Sequence, residues 1–328
     1  MRLLLTLLLA VALVALVVQV TDLDAAAVGG LLSGLAPLPC LAAFVIYGAS
    51  YVGRAWRLKL LLRSEVGLAH MASISARHNF FNALLPFRSG EATLPLMLRA
   101  EAGHALHEGA AMLFVCRVLD LLSVTTWLLL GLAWRRDPTA DQSQLAVQAL
   151  VVLAGVVAVV ALMRPAATLC AGLAGTGGRL RRFVHDAGHR LAAVSPGQLF
   201  VAAAVSLATW AATYVACWLL VVAMADPAAP DGSAAAHLGR VDFATSLVGT
   251  TGLHLTGILP INTPAGVGAW EAGWTAGYVV AGVDRLAAAA SAVGTHILIF
   301  GFITVLGLLA LLLRPTPLRP GPREHSLW

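Results

Sequence analysis

Charge is what this chain has least of. Only 11% of its 328 residues are charged, where soluble domains carry roughly 25%, while 59% are hydrophobic and mean hydropathy is +0.85. So apolar a chain cannot cover a water-facing surface, which excludes a soluble protein and leaves a multispan membrane protein. Lysine is reduced to Lys59 alone. The formal charge of +5 and pI near 9.4 do not imply a nucleic-acid partner, because the arginines gather at the ends of apolar runs rather than along one face. The four cysteines, Cys40, Cys116, Cys170 and Cys217, stand far apart with no C-x-x-C spacing, so neither zinc nor a disulfide framework is indicated. No G-x-x-x-x-G-K-[ST] phosphate loop occurs, so ATP is not an expected energy source, and no cofactor or metal is expected. The apolar runs far exceed the ~10-residue alternating segments of a membrane barrel. The fold class is therefore all-α, a polytopic transmembrane helix bundle.

About 20 apolar residues cross the hydrocarbon core as a helix. Six full spans are expected, at Leu3–Val20, Cys40–Leu62, Gly109–Ala133, Leu145–Met163, Leu199–Met224 and Ala287–Leu313. The first is read as a retained span, since its ~19 apolar residues outrun the 7–15 of a signal-peptide core. Basic residues then set the sides. Arg54, Arg57, Lys59 and Arg63 crowd the end of the second span and read, with Trp56, as a solvated juxtamembrane anchor. Arg164, Arg179, Arg181, Arg182 and Arg190 follow the fourth, and Arg314, Arg319 and Arg323 follow the sixth. Asp22 and Asp24 follow the first span, and an acidic, Pro-rich linker occupies Asp226–Asp231. This pattern puts both termini in the cytoplasm of a cell (inner) membrane protein; Arg135 and Arg136 run against it. Residues 1–313 form one transmembrane domain and 314–328 a short cytoplasmic tail.

Two further apolar pieces, roughly Ile74–Leu98 and Phe243–Ala281, are broken near their middles by Pro, Gly and polar residues. Full crossings there would invert the charge pattern of the later loops, whereas re-entrant pairs of half-helices preserve it. The two pieces share an outline. Each runs from a Φ-L-P turn through Gly to a Glu (Glu91, Glu271), then reaches a Gly 12 or 11 residues later (Gly103, Gly282). Each then enters a full span with a polar residue 26 or 25 positions past the Glu (Arg117, His296). One piece opens inward and the other outward, which describes an inverted repeat with halves about 40–133 and 199–313. Broken helices at matching positions of two halves point to a transporter's binding site.

Irregular backbone at membrane depth survives only where protein or a wet cavity supplies hydrogen-bond partners. The Pro86–Gly90 turn is thus expected inside the bundle, with free N–H groups that favour an anion. Arg88 is either a phosphate or carboxylate fork there or a headgroup-level anchor. Arg117 and Asp120, at i and i+3, either neutralise one another to fix packing or share a rearrangeable network with Glu91. Glu271 follows Pro264, Gly266 and Gly268, whose glycines allow an unwound segment or close helix approach. His254 and His296 fit buried neutral histidines better than a proton relay. Gly249, Gly252, Gly257 and Gly301 suit helix packing within one chain or between two.

The motifs N-A-L-L-P-F-R-S-G-E at Asn82–Glu91, R-V-L-D at Arg117–Asp120 and P-A-G-V-G-A-W-E at Pro264–Glu271 resemble the lysylphosphatidylglycerol synthase transmembrane-region family of flippase-like membrane proteins. The resemblance implies a polytopic bundle that moves a lipid with a charged or sugar headgroup between leaflets. It implies Asn82, Arg88, Gly90, Glu91, Arg117, Asp120, Pro264, Gly266, Gly268 and Glu271 as substrate-binding positions. Ala265 stands where Gly is usual in the second motif. The synthase members also carry a soluble aminoacyl-transfer domain, and only 15 residues follow Leu313 here, so lysine transfer is not expected.

The leading function is therefore a translocator of a phospho-, aminoacyl- or glyco-lipid and not an enzyme, with membrane lipids as partners and a second copy or lipid-synthesis enzymes as candidate neighbours. Glu91 and Glu271 are candidate proton or headgroup-amine sites, and Arg88 and Arg117 candidate phosphate sites. The alternatives are an intramembrane lipid-modifying transferase using Glu91, Asp120 and His296 as acid–base groups, and a non-catalytic member of a lipid-synthesis complex.

Overall fold

The computed structural model describes residues 14–21, 23–85, 89–135, 178–256 and 263–313, with three isolated positions at 147, 150 and 154. The fourth expected span, most of the first, Arg88 and the tail lie outside the described residues. What is described is helical. In chain order the helices are α1 (Ala25–Ser33), α2 (Pro37–Leu62), α3 (Leu68–Leu84), α4 (Thr93–Ala102), α5 (Leu106–Trp134) and α6 (Arg179–Ala192). Then come α7 (Pro196–Met224), α8 (Ala234–Leu238), α9 (Phe243–Thr256), α10 (Ala269–Val280) and α11 (Arg285–Leu312). Short 3-10 turns at Ser89–Ala92 and Pro264–Gly266 interrupt the chain between α3 and α4 and between α9 and α10.

Four of these helices, α2, α5, α7 and α11, are long and apolar enough to cross a membrane. Each begins two or three residues before the apolar run that betrays it. The reason is capping. Ser195 accepts from the Gln198 N–H ahead of Pro196, and Asp284 accepts from the Ala287 N–H. Polar caps and a first-turn proline end the apolar run yet belong to the start of the helix.

The order long helix, shorter helix, 3-10 turn, shorter helix, long helix occurs twice, as α2 to α5 and, with the five-residue α8 inserted after its first member, as α7 to α11. The two sets also contact one another reciprocally. The first members, α2 and α7, pack together, and α3 lies on α11 as α9 lies on α5. Both shorter pairs are hairpins. Glu101 near the end of α4 bonds back to His70 near the start of α3, and the Tyr278 hydroxyl near the end of α10 meets the Ser246 hydroxyl near the start of α9. The hairpins open at opposite ends of the bundle. Arg190 joins the Leu62 carbonyl to Glu108, so α2 ends and α5 begins beside the first hairpin's mouth. Arg135 donates to the Ala281 carbonyl and Phe243 meets the Trp134 ring edge-on, which places the second mouth at the other end.

Lipid-facing helices gain little from burying apolar surface against one another, so close packing and polar contacts hold them. The α9–α10 seam illustrates this. A Cβ on Gly252 or Gly277 would collide with the facing backbone, so the two helices approach to a distance that only glycine permits. Gly249 meets the Tyr278 ring in the same seam, whereas Gly301 has open space beside it. Gly249 and Gly252 thus serve packing within the chain; Gly257 lies outside the described residues.

Candidate functional site

The long helices carry their polar side chains into the interior, where α2, α3, α5 and α7 converge. Asp120 on α5 is the hub. It accepts from Arg57 Nη1 at 2.5 Å and Nη2 at 3.5 Å, and from Trp210 Nε1 at 2.9 Å. Arg57 also donates to the Ser206 hydroxyl at 2.6 Å. Arg117 reaches Asp120 at 3.7 Å and Glu91 at 3.2 Å. Arg54, one turn before Arg57, lies 5.5 Å over the Trp210 ring and 3.5 Å from the Thr213 hydroxyl. Ser75, His78 and Asn79 of α3 complete the wall of a cavity of about 40 Å³, on the order of one water molecule's share of volume.

One sequence expectation changes here. The basic run at the end of α2 is not a solvated anchor. Arg57 is 4% exposed and paired with an acid 63 residues away, and Lys59 donates to the Ser64 and Val66 carbonyls, closing the helix C-terminus. Only Arg63 of the four is exposed, donating to Gln198. Of the two readings of Arg117 and Asp120, the arrangement matches the network with Glu91: Arg57 takes Asp120 and leaves Arg117, with 41% of its side chain exposed, between two acids.

Gly90 is buried at the tip of the first hairpin, where a Cβ would collide with the Asn82 backbone. Asn82 and Gly90 therefore make the turn itself. Thr93 ties it further, donating to the Gly90 carbonyl at 2.6 Å and bonding His78 at 2.9 Å. Below the tip, Arg77 binds both oxygens of Glu101, at 2.7 and 2.5 Å, and has no exposed surface.

At the second hairpin the glycines serve an unwound turn. Ala265, Gly266 and Gly268 have φ of 56°, 78° and 83°, all in the left-handed region. The Gly268 N–H, at the N-cap of α10, donates to Glu271 Oε2 at 2.7 Å. Glu271 Oε1 meets His296 Nδ1 at 2.6 Å, and His296 Nε2 meets the Ala265 carbonyl at 2.9 Å. The Trp270 ring stacks on His296 at 4.9 Å and 11°. His296 is thus held by an acid rather than isolated. His254 instead packs edge-on against Trp210 and Tyr214, and its buried Nε2 has no partner. The Pro264–Gly266 turn also touches α3, so the two hairpins meet inside the bundle.

Of the expected site positions, the structure thus gathers Glu91, Arg117 and Asp120 in one network, Asn82 with Gly90 in one turn, and Pro264, Gly266, Gly268 and Glu271 around another. Arg57, Arg54, Ser206, Trp210 and the Arg77–Glu101 pair are additions. Arg77 and Glu101 each stand 12 positions from Ser89, a symmetry about the turn that could have announced their pairing.

A comparison with curated proteins gives no match. The model of a family described as the lysylphosphatidylglycerol synthase TM region matches residues 3–307, almost the whole chain. With its helical bundle and intramembrane polar networks, the chain belongs to that family and is a multi-pass membrane protein of lipid metabolism or translocation.

Proposed function

We propose that this protein moves a lipid with a polar headgroup between leaflets, and that the headgroup's anionic group docks at Arg54, Arg57 and Arg117. One observation carries the reading: three guanidiniums and the Asp120 carboxylate line a single interior cavity, and Glu91 pairs with one of those guanidiniums, Arg117. Buried charge at membrane depth is costly and marks substrate pathways, and a guanidinium fork suits a phosphate. Among the described residues Arg54 has no acid within ion-pair distance, so it is the guanidinium freest to take an incoming anion.

The hairpins support a re-entrant, inverted arrangement of the two halves around this cavity, the geometry that alternating access uses. Lys59, Arg63, Arg181, Arg182 and Arg190 collect at the end where α2 finishes, while Asp24, Asp226, Asp242 and Asp284 lie at the other. We assign the basic end to the cytoplasm of the cell membrane. A lipid-modifying transferase and a non-catalytic complex partner remain the competing classes.

Reconstitution into vesicles with a fluorescent, headgroup-intact phosphatidylglycerol tests the proposal, using external quenching to score movement between leaflets. Arg54→Gln and Arg117→Gln should slow movement at least tenfold while leaving the purified protein folded. Wild-type protein that moves no lipid, or variants that move it at the wild-type rate, would refute the docking role. A double Glu91→Gln, Glu271→Gln variant with unchanged movement would remove the carboxylates from the mechanism.

A further inference from the structure

We infer that Glu271 and His296 together hold one exchangeable proton, and that its departure releases the Thr263–Gly268 turn. The argument is one of hydrogen-bond roles. A carbonyl oxygen only accepts, so His296 Nε2 must carry a hydrogen and donate it to Ala265. If the imidazole is neutral, Nδ1 then has a lone pair and no hydrogen. Yet Nδ1 lies 2.6 Å from Glu271 Oε1, whose carboxylate form also only accepts. Two acceptors do not approach so closely without a proton between them. That proton sits on Nδ1, giving an imidazolium–carboxylate pair, or on Oε1, giving two neutral groups. The count is the same in both forms. The other carboxyl oxygen is occupied by the Gly268 N–H, and among the described residues the hydrogen-bond partner of Oε1 is His296 Nδ1.

When this proton leaves to water, the pair retains a carboxylate and one imidazole N–H, with two acceptors competing for it. A bond to a charged acceptor is roughly twice as strong as one to a neutral carbonyl. The remaining hydrogen therefore goes to Glu271 through Nδ1, and the Ala265 carbonyl loses its donor. Ala265 is the one non-glycine residue of this turn described with positive φ, a conformation that persists only when its surroundings hold it. Proton loss thus unhooks a turn that touches α3. The matching position of the first half cannot do this, because Arg117 stays charged throughout the accessible pH range.

The surroundings bring no second ionisable partner to the pair among the described residues. On α9, His254 turns to Trp210 and Tyr214. On α10, Tyr278 bonds Ser246 and Thr250, and on α7 Tyr214 bonds Thr251. On α3, His70 and Arg77 are held by Glu101 and His78 by Thr93. On α2, Tyr47 and Tyr51 pack on each other, and Arg54 and Arg57 turn to Trp210 and Asp120. Asp24 caps α1, and Asp284 caps α11 beside Arg285, 11 residues before His296, or about 16 Å along a helix. His237 of α8 makes no bond to either member of the pair.

The proton site rests on this geometry alone; its use as a driving ion rests on the translocator reading. The test uses full-length protein in lipid nanodiscs. Histidine-labelled protein, with His296→Gln to identify the signal, reports protonation of His296 by NMR from about pH 4 to about pH 10. A spin label at Val267→Cys, in a background without the native cysteines, reports the turn. The expected result is a rise in label mobility that follows the His296 signal, the ratio of mobile to immobile label changing tenfold per pH unit. Glu271→Gln should abolish that response, because its amide N–H donates to Nδ1 and fixes the hydrogen on Nε2 at every pH. Absence of a His296 transition, or a label that responds equally in Glu271→Gln, would overturn the inference; the wild-type titration alone suffices if a variant fails to fold. A titrating pair in a protein that moves no lipid would uphold the proton site and refute translocation. A silent pair in a protein that moves lipid would do the reverse.

Discussion

Replacing Asp120 by Asn should strongly destabilise this protein. Asp120 compensates Arg57, which is 4% exposed and gains nothing from water when its partner is lost. Removing one member of a buried pair costs about 3–5 kcal/mol because a charge is left behind. The asparagine retains an oxygen for Trp210, so the loss is that of the charge rather than of every bond. Arg57→Met should cost less, about 1–3 kcal/mol, because Arg117 lies 3.7 Å from Asp120 and can close on it. Removing both charges, in Arg57→Met with Asp120→Leu, should bring stability back to within about 2 kcal/mol of wild type. Equilibrium unfolding of the purified protein in mixed detergent micelles, run as a double-mutant cycle, measures all three. The decisive quantity is the coupling energy. A value near zero, or a double variant as unstable as the two singles combined, would show that Arg57 and Asp120 do not act as a pair. Glu91→Gln, on a side chain 25% exposed, should cost at most about 1 kcal/mol, separating a residue that serves a substrate from one that holds helices.

Other consequences are as direct. Gly90→Ala should cost about 1–3 kcal/mol or prevent accumulation, since its Cβ would enter the Asn82 backbone; detergent melting temperature and yield report it. Ala265→Gly should stabilise the second turn by about 1 kcal/mol, because Ala265 is held at φ 56°, and a lowered melting temperature would contradict the assignment. Glu101→Gln should lower stability by about 3–5 kcal/mol, with faster amide exchange in α3 and α4, because Arg77 is fully buried against it.

The long helices were legible because length of apolar run is set by the bilayer, and the hairpins because Pro and Gly interrupt such runs only where backbone groups find partners. The Glu-to-polar spacing of 26 and 25 residues picks out the positions of Arg117 and His296, but it does not reveal that His296 pairs with Glu271. What stayed hidden depends on helix rotation. Arg57 sits near the end of an apolar run, where a basic residue ordinarily meets headgroups, and nothing local reveals that its face turns toward α7. Ser206 and Trp210 are unremarkable in sequence for the same reason. Their role is fixed by Gly53, where a Cβ would strike Thr209, setting how closely α2 and α7 approach.

The seating of α3 bears on how the chain is made. This helix carries His70, Arg77, His78, Asn79 and Asn82, too many polar groups to remain in lipid unaccompanied. Yet it rests on α11, where Ser73 donates to the Ala310 carbonyl and Phe80 fills the space beside Gly307. Those partners are synthesised more than 200 residues later. The first hairpin is therefore expected to complete its packing only once α11 has been made. A ribosome-stalled chain ending before α11 should leave α3 open to proteolysis, and release of the complete chain should close it.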